Sequence, residues 1–245
     1  MWGFDNDGGD NICSVKSKCA KYFAYFAAMQ YITIFDDAVK HYDGQMQFAV
    51  ARAMPHHRIR HGLSSASGST IHMSLGEQRL ASIRNILENQ FKWKRSKTQK
   101  RFHESFLNAC IRFLYAEDTN APDYSTILEV NNWQDLRQQC LCMTPRRFGK
   151  TVSVGMFVTA MALVVPSEQA IFSTGRRASS KLLELVSSLM QQVPGASDRI
   201  VKSNQEMIWV SHPCGRISKI SSYPSCAKTL RGVGGDVVYM EEAGK

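Results

Sequence analysis

The chain lacks the cysteine spacing that would indicate a zinc site or a disulfide framework. Its seven cysteines are an odd number, and they include no pair of Cys-x-x-Cys units. Cys140 and Cys142 lie two residues apart in a stretch with strand character, so we expect their side chains to share one face. Reduced thiols in a cytosolic or nuclear protein are the simplest interpretation.

Apolar runs long enough to cross a membrane are also missing from the sequence. The apolar stretch over residues 22–35 is interrupted by Gln30 and Thr33 and is too short for a bilayer. It begins too far along the chain, and lacks the small-residue cleavage site, to be a secretory signal. We therefore interpret it as a packed helix and expect a protein that is not secreted and has no membrane partner.

Acidic residues are outnumbered by basic ones, 21 against 30, which gives a formal net charge of +9. This balance favours DNA or RNA as a partner; a basic protein without a nucleic-acid role is the alternative. The densest positive run is Lys92–Arg101, with Trp93 inside it. Such a run can lie along a phosphate backbone or form a solvated helix face. Its candidate DNA-binding residues are Lys92, Lys94, Arg95 and Lys97.

Composition and periodicity divide the chain into four parts. We expect a helical N-terminal extension over 1–61, a flexible Gly- and Ser-rich linker over 62–70, a helical basic region over 71–138 and a core over 139–245. Within the core, apolar strands alternate with helices, which predicts an α/β fold with a mostly parallel sheet. The predicted strands cover 139–143, 170–174, 207–211, 216–222 and 236–240, and the predicted helices cover 151–165 and 179–193.

A phosphate-binding loop is predicted between the first of these strands and the helix that follows. Its residues are Thr144, Pro145, Arg146, Arg147, Phe148, Gly149, Lys150 and Thr151. Backbone N–H groups and the positive end of the helix would face the phosphates, Lys150 would reach the β- and γ-phosphates, and the Thr151 hydroxyl would bind Mg²⁺. Thr144 stands where the usual pattern has glycine. A chance Gly-Lys-Thr at a helix start is the alternative.

An apolar strand ending in two carboxylates supplies the second half of the predicted site. Glu241 and Glu242 follow the run 237–240, at the end of a strand where open α/β sheets bind their ligands. We expect Glu241 to hold Mg²⁺ through water and Glu242 to orient or deprotonate the attacking water. Alone, the two glutamates would be interpreted as a surface acidic pair.

Arginines near these two elements are candidates to contact the γ-phosphate or DNA. Arg146 or Arg147 could stabilise transition-state charge, as an arginine finger does, or could form a structural ion pair. Arg231 lies in the basic, glycine-rich stretch 229–235 just before the acidic strand, where it could contact DNA or sense nucleotide.

The segments 145–151, 230–232 and 237–243 together resemble the ATPase domain of a viral large terminase, the DNA-packaging motor, most of all the herpesvirus type related to tailed phages. The resemblance covers roughly residues 95–245. It implies a P-loop NTPase fold of the ASCE type, incomplete at its C-terminus and preceded by a mostly helical region. It also implies the cofactors ATP and Mg²⁺, with Lys150, Arg146 as a cis-acting finger and Glu242 as catalytic residues.

The same resemblance implies roles and partners outside the ATP site. Thr174–Arg177, with Arg176 and Arg177, resembles the segment that couples nucleotide to DNA, and Gln99–His103 loosely resembles an adenine-side region. The implied partners are double-stranded DNA, a portal, small terminase subunits and further copies in a ring. The implied location is the host nucleus for a herpesvirus-type protein and otherwise the host cytoplasm.

The sequence departs from the terminase pattern in two respects. Glu241 stands where the family usually has Asp, and the chain stops directly after the acidic strand, before the coupling motif and the nuclease. Because Gly244-Lys245 can be encoded by GGT AAG, a splice-donor-like sequence, we expect a first exon or its read-through. The rival interpretations are a superfamily-2 helicase or translocase, and a fragment that binds nucleotide or DNA without turnover.

Overall fold

The computed structural model describes residues 47–53, 73–144, 147–224 and 235–241, all within one unit of the chain, 44–243. In order, its strands are β1 (Gln47–Ala53), β2 (Gln139–Thr144), β3 (Glu168–Ser173), β4 (Ile200–Ser203), β5 (Met207–Ser211), β6 (Ile217–Pro224) and β7 (Val237–Glu241). Its α-helices are α1 (Leu75–Asn89), α2 (Lys97–Leu114), α3 (Tyr124–Val130), α4 (Lys150–Val164) and α5 (Arg176–Met190). A 3-10 turn, Ser197–Arg199, precedes β4.

The first two helices begin at capping boxes that the sequence encodes. Ser74 accepts a hydrogen bond from the N–H of Glu77, whose carboxylate accepts one from the N–H of Ser74. Ser96 and Gln99 form the same reciprocal pair at the start of α2. Each box satisfies helix N–H groups that would otherwise have no partner, and losing such a cap costs about 1 kcal/mol. The second box also holds the side chain of Gln99 in place.

The seven strands form one mixed sheet in the order β2-β1-β7-β3-β6-β5-β4. β3 pairs in parallel with β6 and β7, while β1 is antiparallel to both β2 and β7, and β5 is antiparallel to both β4 and β6. Five strands therefore point one way and two point the other. The α/β class is confirmed, but the mostly parallel sheet is only partly right, because β1 and β5 each make two antiparallel pairings.

The prediction of helix was wrong for Gln47–Ala53. This segment is β1, and its register pairs Ala51 with Cys140 on one side and with Tyr239 on the other. Seven residues with Phe48 and Val50 fit a strand period as well as a helix period, and backbone hydrogen bonds to two neighbouring strands decide between them. The remainder of the predicted extension and the linker 62–70 lie outside the described residues.

One hydrophobic core joins the helices to a single face of the sheet. The strand residues in this core are Cys140, Ile171, Ile208, Val210, Ile220, Val237 and Tyr239. They pack with α1, α2, α4 and α5, and the ring of Phe157 on α4 lies edge-on to Phe106 and Tyr239. Cys140 and Cys142 do share a face, as predicted, with their Sγ atoms 3.2 Å apart.

Candidate functional site

The turn that leads from β2 into α4 has the backbone geometry of an anion-binding helix start. β2 ends at Thr144, one residue later than predicted, and α4 begins at Lys150, one residue earlier. Gly149 is the N-cap with φ 85°, in the left-handed region, and Arg147 also has a positive φ of 69°. Within the part of the chain that the structure describes, no side chain caps this helix end. At a helix start of this form, the first N–H groups and the positive end of the helix dipole favour an anion.

The first turn of α4 meets the carboxyl end of β7 directly. The hydroxyl of Thr151 donates a hydrogen bond to Oε1 of Glu241. Glu241 is 5% exposed and Lys150 is 3% exposed, so an ammonium and a carboxylate are both withdrawn from solvent at this edge. Buried charges persist only where they have partners. The structure therefore brings Thr151 into contact with Glu241, which lies ninety positions further along the chain.

These residues fit a hydrated magnesium ion. The hydroxyl of Thr151 and the carboxylate of Glu241 are hard oxygen donors, and Mg²⁺ prefers one or two protein oxygens together with waters and phosphate oxygens. The described residues hold no group of three or more His, Cys, Asp or Glu side chains placed to bind a metal. The donor set fits an ion that arrives with a nucleotide better than one enclosed by the protein alone.

A groove of about 200 Å³ opens beside Gly149. Its lining consists of Trp93, Lys94, Arg95, Gln99, Gly149, Val152 and Met156. Gln99 is held by the Ser96 capping box through its Oε1, and its Nε2 lies 3.4 Å from the carbonyl oxygen of Phe148. The groove thus offers an aromatic ring that is 49% exposed, an amide and two cations next to the loop. In the sequence, Gln99 was singled out only through the loose resemblance of Gln99–His103 to an adenine-side region.

A buried histidine connects this groove to α4. Nε2 of His103 lies 2.8 Å from the carbonyl oxygen of Ser153, and Nδ1 lies 2.9 Å from the guanidinium of Arg95. These contacts fit a neutral ring that donates from Nε2 and accepts at Nδ1. Burial lowers the pKa of His103 to about 4. Sequence analysis named His103 only as the end of the stretch Gln99–His103 and did not predict its burial, because an isolated histidine on a helix has no diagnostic pattern.

The candidate DNA-binding residues of the positive run differ in their exposure to solvent and in their side-chain partners. Lys92, Lys94 and Lys97 are exposed. The Arg95 side chain is only 8% exposed, because it is bound by Glu88 at 2.7 Å as well as by His103. The three lysines are exposed and could contact a phosphate backbone. Arg95 holds the segment before α2 in place.

Two further candidate DNA-binding arginines lie at the start of α5. Arg176 and Arg177 are both exposed, and the Arg176 side chain pairs with Glu206. Ion pairs between exposed side chains contribute little to stability, so this one leaves Arg176 available to a phosphate. Four predicted site residues, Pro145, Arg146, Arg231 and Glu242, lie outside the described residues. Their assigned roles stay predictions, as does the exposed Arg147 as a γ-phosphate contact.

Comparison with known proteins does not assign the chain to a family. No protein-family model matches it, and no curated protein matches its sequence. Among the described helices, none is both long enough and apolar enough to pass through a membrane. What the chain does must therefore be argued from the edge of the sheet where Thr151, in the first turn of α4, contacts Glu241.

Proposed function

We propose that the chain binds ATP with Mg²⁺ and forms the ATPase portion of a terminase-like motor that packages double-stranded viral DNA. One observation carries the ATP-binding part of this proposal. The Lys150–Thr151 helix start and the buried Glu241 lie in contact through the Thr151 hydroxyl. A helix start for phosphate and a carboxylate for a phosphate-bound cation are two of the parts that ATP hydrolysis requires.

In this proposal, main-chain N–H groups around Gly149 hold the phosphates and Lys150 neutralises their charge. Mg²⁺, when bound, supplies further charge neutralisation on the phosphate oxygens. The hydroxyl of Thr151 and the carboxylate of Glu241 hold the ion, with Glu241 acting through water. Glu242 orients or deprotonates the attacking water, and Arg146 contacts the γ-phosphate; both roles rest on the terminase resemblance.

The groove beside Gly149 is the natural place for the base of the nucleotide. The Trp93 ring offers a stacking surface, and the amide of Gln99 offers a hydrogen bond to a base edge. The exposed Lys92, Lys94 and Lys97 lie in or next to the same segment. The geometry favours a nucleotide lying with its phosphates on α4 and its base toward Trp93.

The test is nucleotide binding and hydrolysis by Lys150→Ala, with Lys181→Ala as the matched control. Lys181 lies on the exposed side of α5, so its loss removes the same charge away from the proposed phosphates. We expect Lys150→Ala to abolish hydrolysis and weaken ATP binding at least tenfold, with Lys181→Ala near wild type. Equal activity in both variants would refute the proposal. Wild-type binding without turnover would limit the function to nucleotide binding.

A further inference from the structure

Buried hydroxyl groups without hydrogen-bond partners collect near the carboxyl edge of the sheet. Among the described residues, the hydroxyls of Thr144, Ser153 and Ser173 are enclosed and have no partner. Thr144 ends β2 and Ser173 ends β3, while Ser153 lies inside α4. Thr144 and Ser173 are 6% and 1% exposed, so water does not satisfy them from outside. A buried hydroxyl without a partner is costly and calls for a ligand, ion or water.

Strand register places Ser173 beside Glu241. β3 and β7 run parallel, and their last paired positions are Phe172 and Met240. The next residues are Ser173 and Glu241, on strands that lie about 4.7–4.9 Å apart. Side chains alternate along a strand, so Ser173 shares the face of Ile171, and Glu241 shares the face of Tyr239. Ile171 and Tyr239 both belong to the helix-covered core, which puts the Ser173 hydroxyl on the same side as the Glu241 carboxylate.

We infer that the Ser173 hydroxyl is a further ligand-contacting group, which hydrogen-bonds a water of the Mg²⁺ held by Thr151 and Glu241. The inference rests on the proposed function, since it assigns a new residue to that site. A magnesium-bound water is a strong donor, and a serine hydroxyl without a partner can accept from it. The Ser173 hydroxyl, which destabilises the nucleotide-free protein because it has no hydrogen-bond partner, would gain a partner when Mg²⁺ and nucleotide bind.

The alternative is that Ser173 is a structural serine with no ligand. The two cases predict opposite changes in the stability of Ser173→Ala. Removing a hydroxyl that has no partner should raise the Tm of the nucleotide-free protein, because the desolvation cost is relieved. Removing one that supports the fold should lower it. Ser153→Ala is the matched control, since it also deletes a buried hydroxyl that has no partner. Ser153 lies on α4, two residues after Thr151, so its side chain points about 200° around the helix from that of Thr151.

The experiment measures the Kd of a non-hydrolysable ATP analogue in saturating Mg²⁺ and in EDTA, for the full chain and both variants. We expect Ser173→Ala to bind about tenfold more weakly in Mg²⁺, the equivalent of ~1.4 kcal/mol, and to match wild type in EDTA. Ser153→Ala should match wild type in both conditions. Ser173→Thr, which keeps a hydroxyl, should restore the Mg²⁺ dependence at least partly.

The outcomes separate this inference from the proposed function. A wild-type chain whose affinity does not depend on Mg²⁺ would overturn the proposed site as a whole. A wild-type chain with Mg²⁺-dependent binding and a Ser173→Ala variant with the same dependence would overturn only the role of Ser173. A lowered Tm with equal loss of affinity in Mg²⁺ and EDTA would assign Ser173 to the fold. Should Ser173→Ala fail to fold, that result also contradicts the inference, because a group without a partner should be dispensable to the fold.

Discussion

At the scale of single residues, Gly149 is constrained both by its backbone conformation and by a close neighbour. Its φ of 85° disfavours any side chain, and a Cβ at this position would lie 3.0 Å from Nε2 of Gln99. We expect Gly149→Ala to destabilise the fold by about 1–2 kcal/mol, the usual cost of a left-handed alanine. It should also weaken ATP binding, because both the loop and Gln99 must shift. Urea unfolding and fluorescent-nucleotide titration measure the two effects.

Gly215 provides the matched control for that change. It has nearly the same φ, 79°, but a Cβ there would meet nothing within 4 Å, and it lies in the β5–β6 hairpin. Gly215→Ala should therefore cost similar stability and leave nucleotide affinity unchanged. Equal loss of affinity in both variants would mean that Gly149 acts through general stability and has no special place at the phosphates.

His103 makes stability depend on pH. Burial lowers its pKa from 6.5 to about 4, so the unfolded chain binds its proton more readily than the folded chain does. Stability is then complete above pH 6.5 and is lost as pH falls toward 4, by about 2 kcal/mol between pH 6.5 and pH 5. In His103→Gln this part of the loss should disappear. The measurement is urea unfolding at pH 7, 6 and 5.

A second histidine must be considered in that measurement. The pKa of His212 is also lowered to about 4, by burial and by the charge of Arg199, and it acts in the same direction. The variant His103→Gln should therefore keep a shallower acid loss from His212. A pH profile as steep as that of the wild type would contradict the buried neutral state of His103.

At the scale of elements, the sequence predicted what local pattern encodes. α4 was placed within one residue at each end, because an apolar run bounded by Gly149 and Pro166 is unambiguous. The two strands of the β5–β6 hairpin were predicted at 207–211 and 216–222, close to where the structure has them. The strand β4 was missed, since four residues are too few to show a period. The short helix α3 lies in the region predicted to be helical, but it was not predicted as a separate helix.

The candidate site divides in the same way. Lys150, Thr151 and Glu241 were identified from motif and strand end, and the structure brings Thr151 and Glu241 into contact. Ser173 was not identified, because a serine at a strand end has no pattern of its own. Its position follows only from the register between β3 and β7, which depends on residues almost seventy positions apart. Long-range pairing is the information that a local pattern does not contain.

The strand β1 holds β2 and β7 in their places. It pairs with both, so within the described sheet it provides the backbone hydrogen bonds between the strand before the loop and the strand that ends in Glu241. We expect Ala51→Pro to unfold this part of the sheet, because proline removes a ladder N–H in the middle of a sheet. The variant should lose about 3 kcal/mol of folding stability, together with its Mg²⁺-dependent nucleotide binding.

Ala51→Gly is the control for that strand. It keeps the N–H and adds no side chain, so only the modest strand preference of about 1 kcal/mol is lost. Circular dichroism and urea unfolding report on the sheet, and nucleotide titration reports on the site. Near-normal stability in Ala51→Pro would contradict a central position for β1.

At the scale of the whole molecule, the formal net charge of +9 matters less than where the free cations lie. Lys92, Lys94 and Lys97 are exposed on one segment, whereas Arg95 between them is bound to Glu88 and His103. If this segment follows DNA, each lysine that meets a phosphate adds about 0.9 to the slope of log K against log salt. Replacing all three by glutamine should lower the slope by about 2–3.

The control set removes the same charge from elsewhere. Lys181, Lys202 and Lys219 lie on α5, β4 and β6, far along the chain from that segment, and replacing them also removes three positive charges from +9. Fluorescence anisotropy with a DNA duplex at several salt concentrations compares the two triple variants. A drop in slope confined to the first set supports a DNA path along residues 92–97. Equal drops in both sets would mean that DNA senses only net charge, and an unchanged slope in the first set would make its lysines a solvated surface.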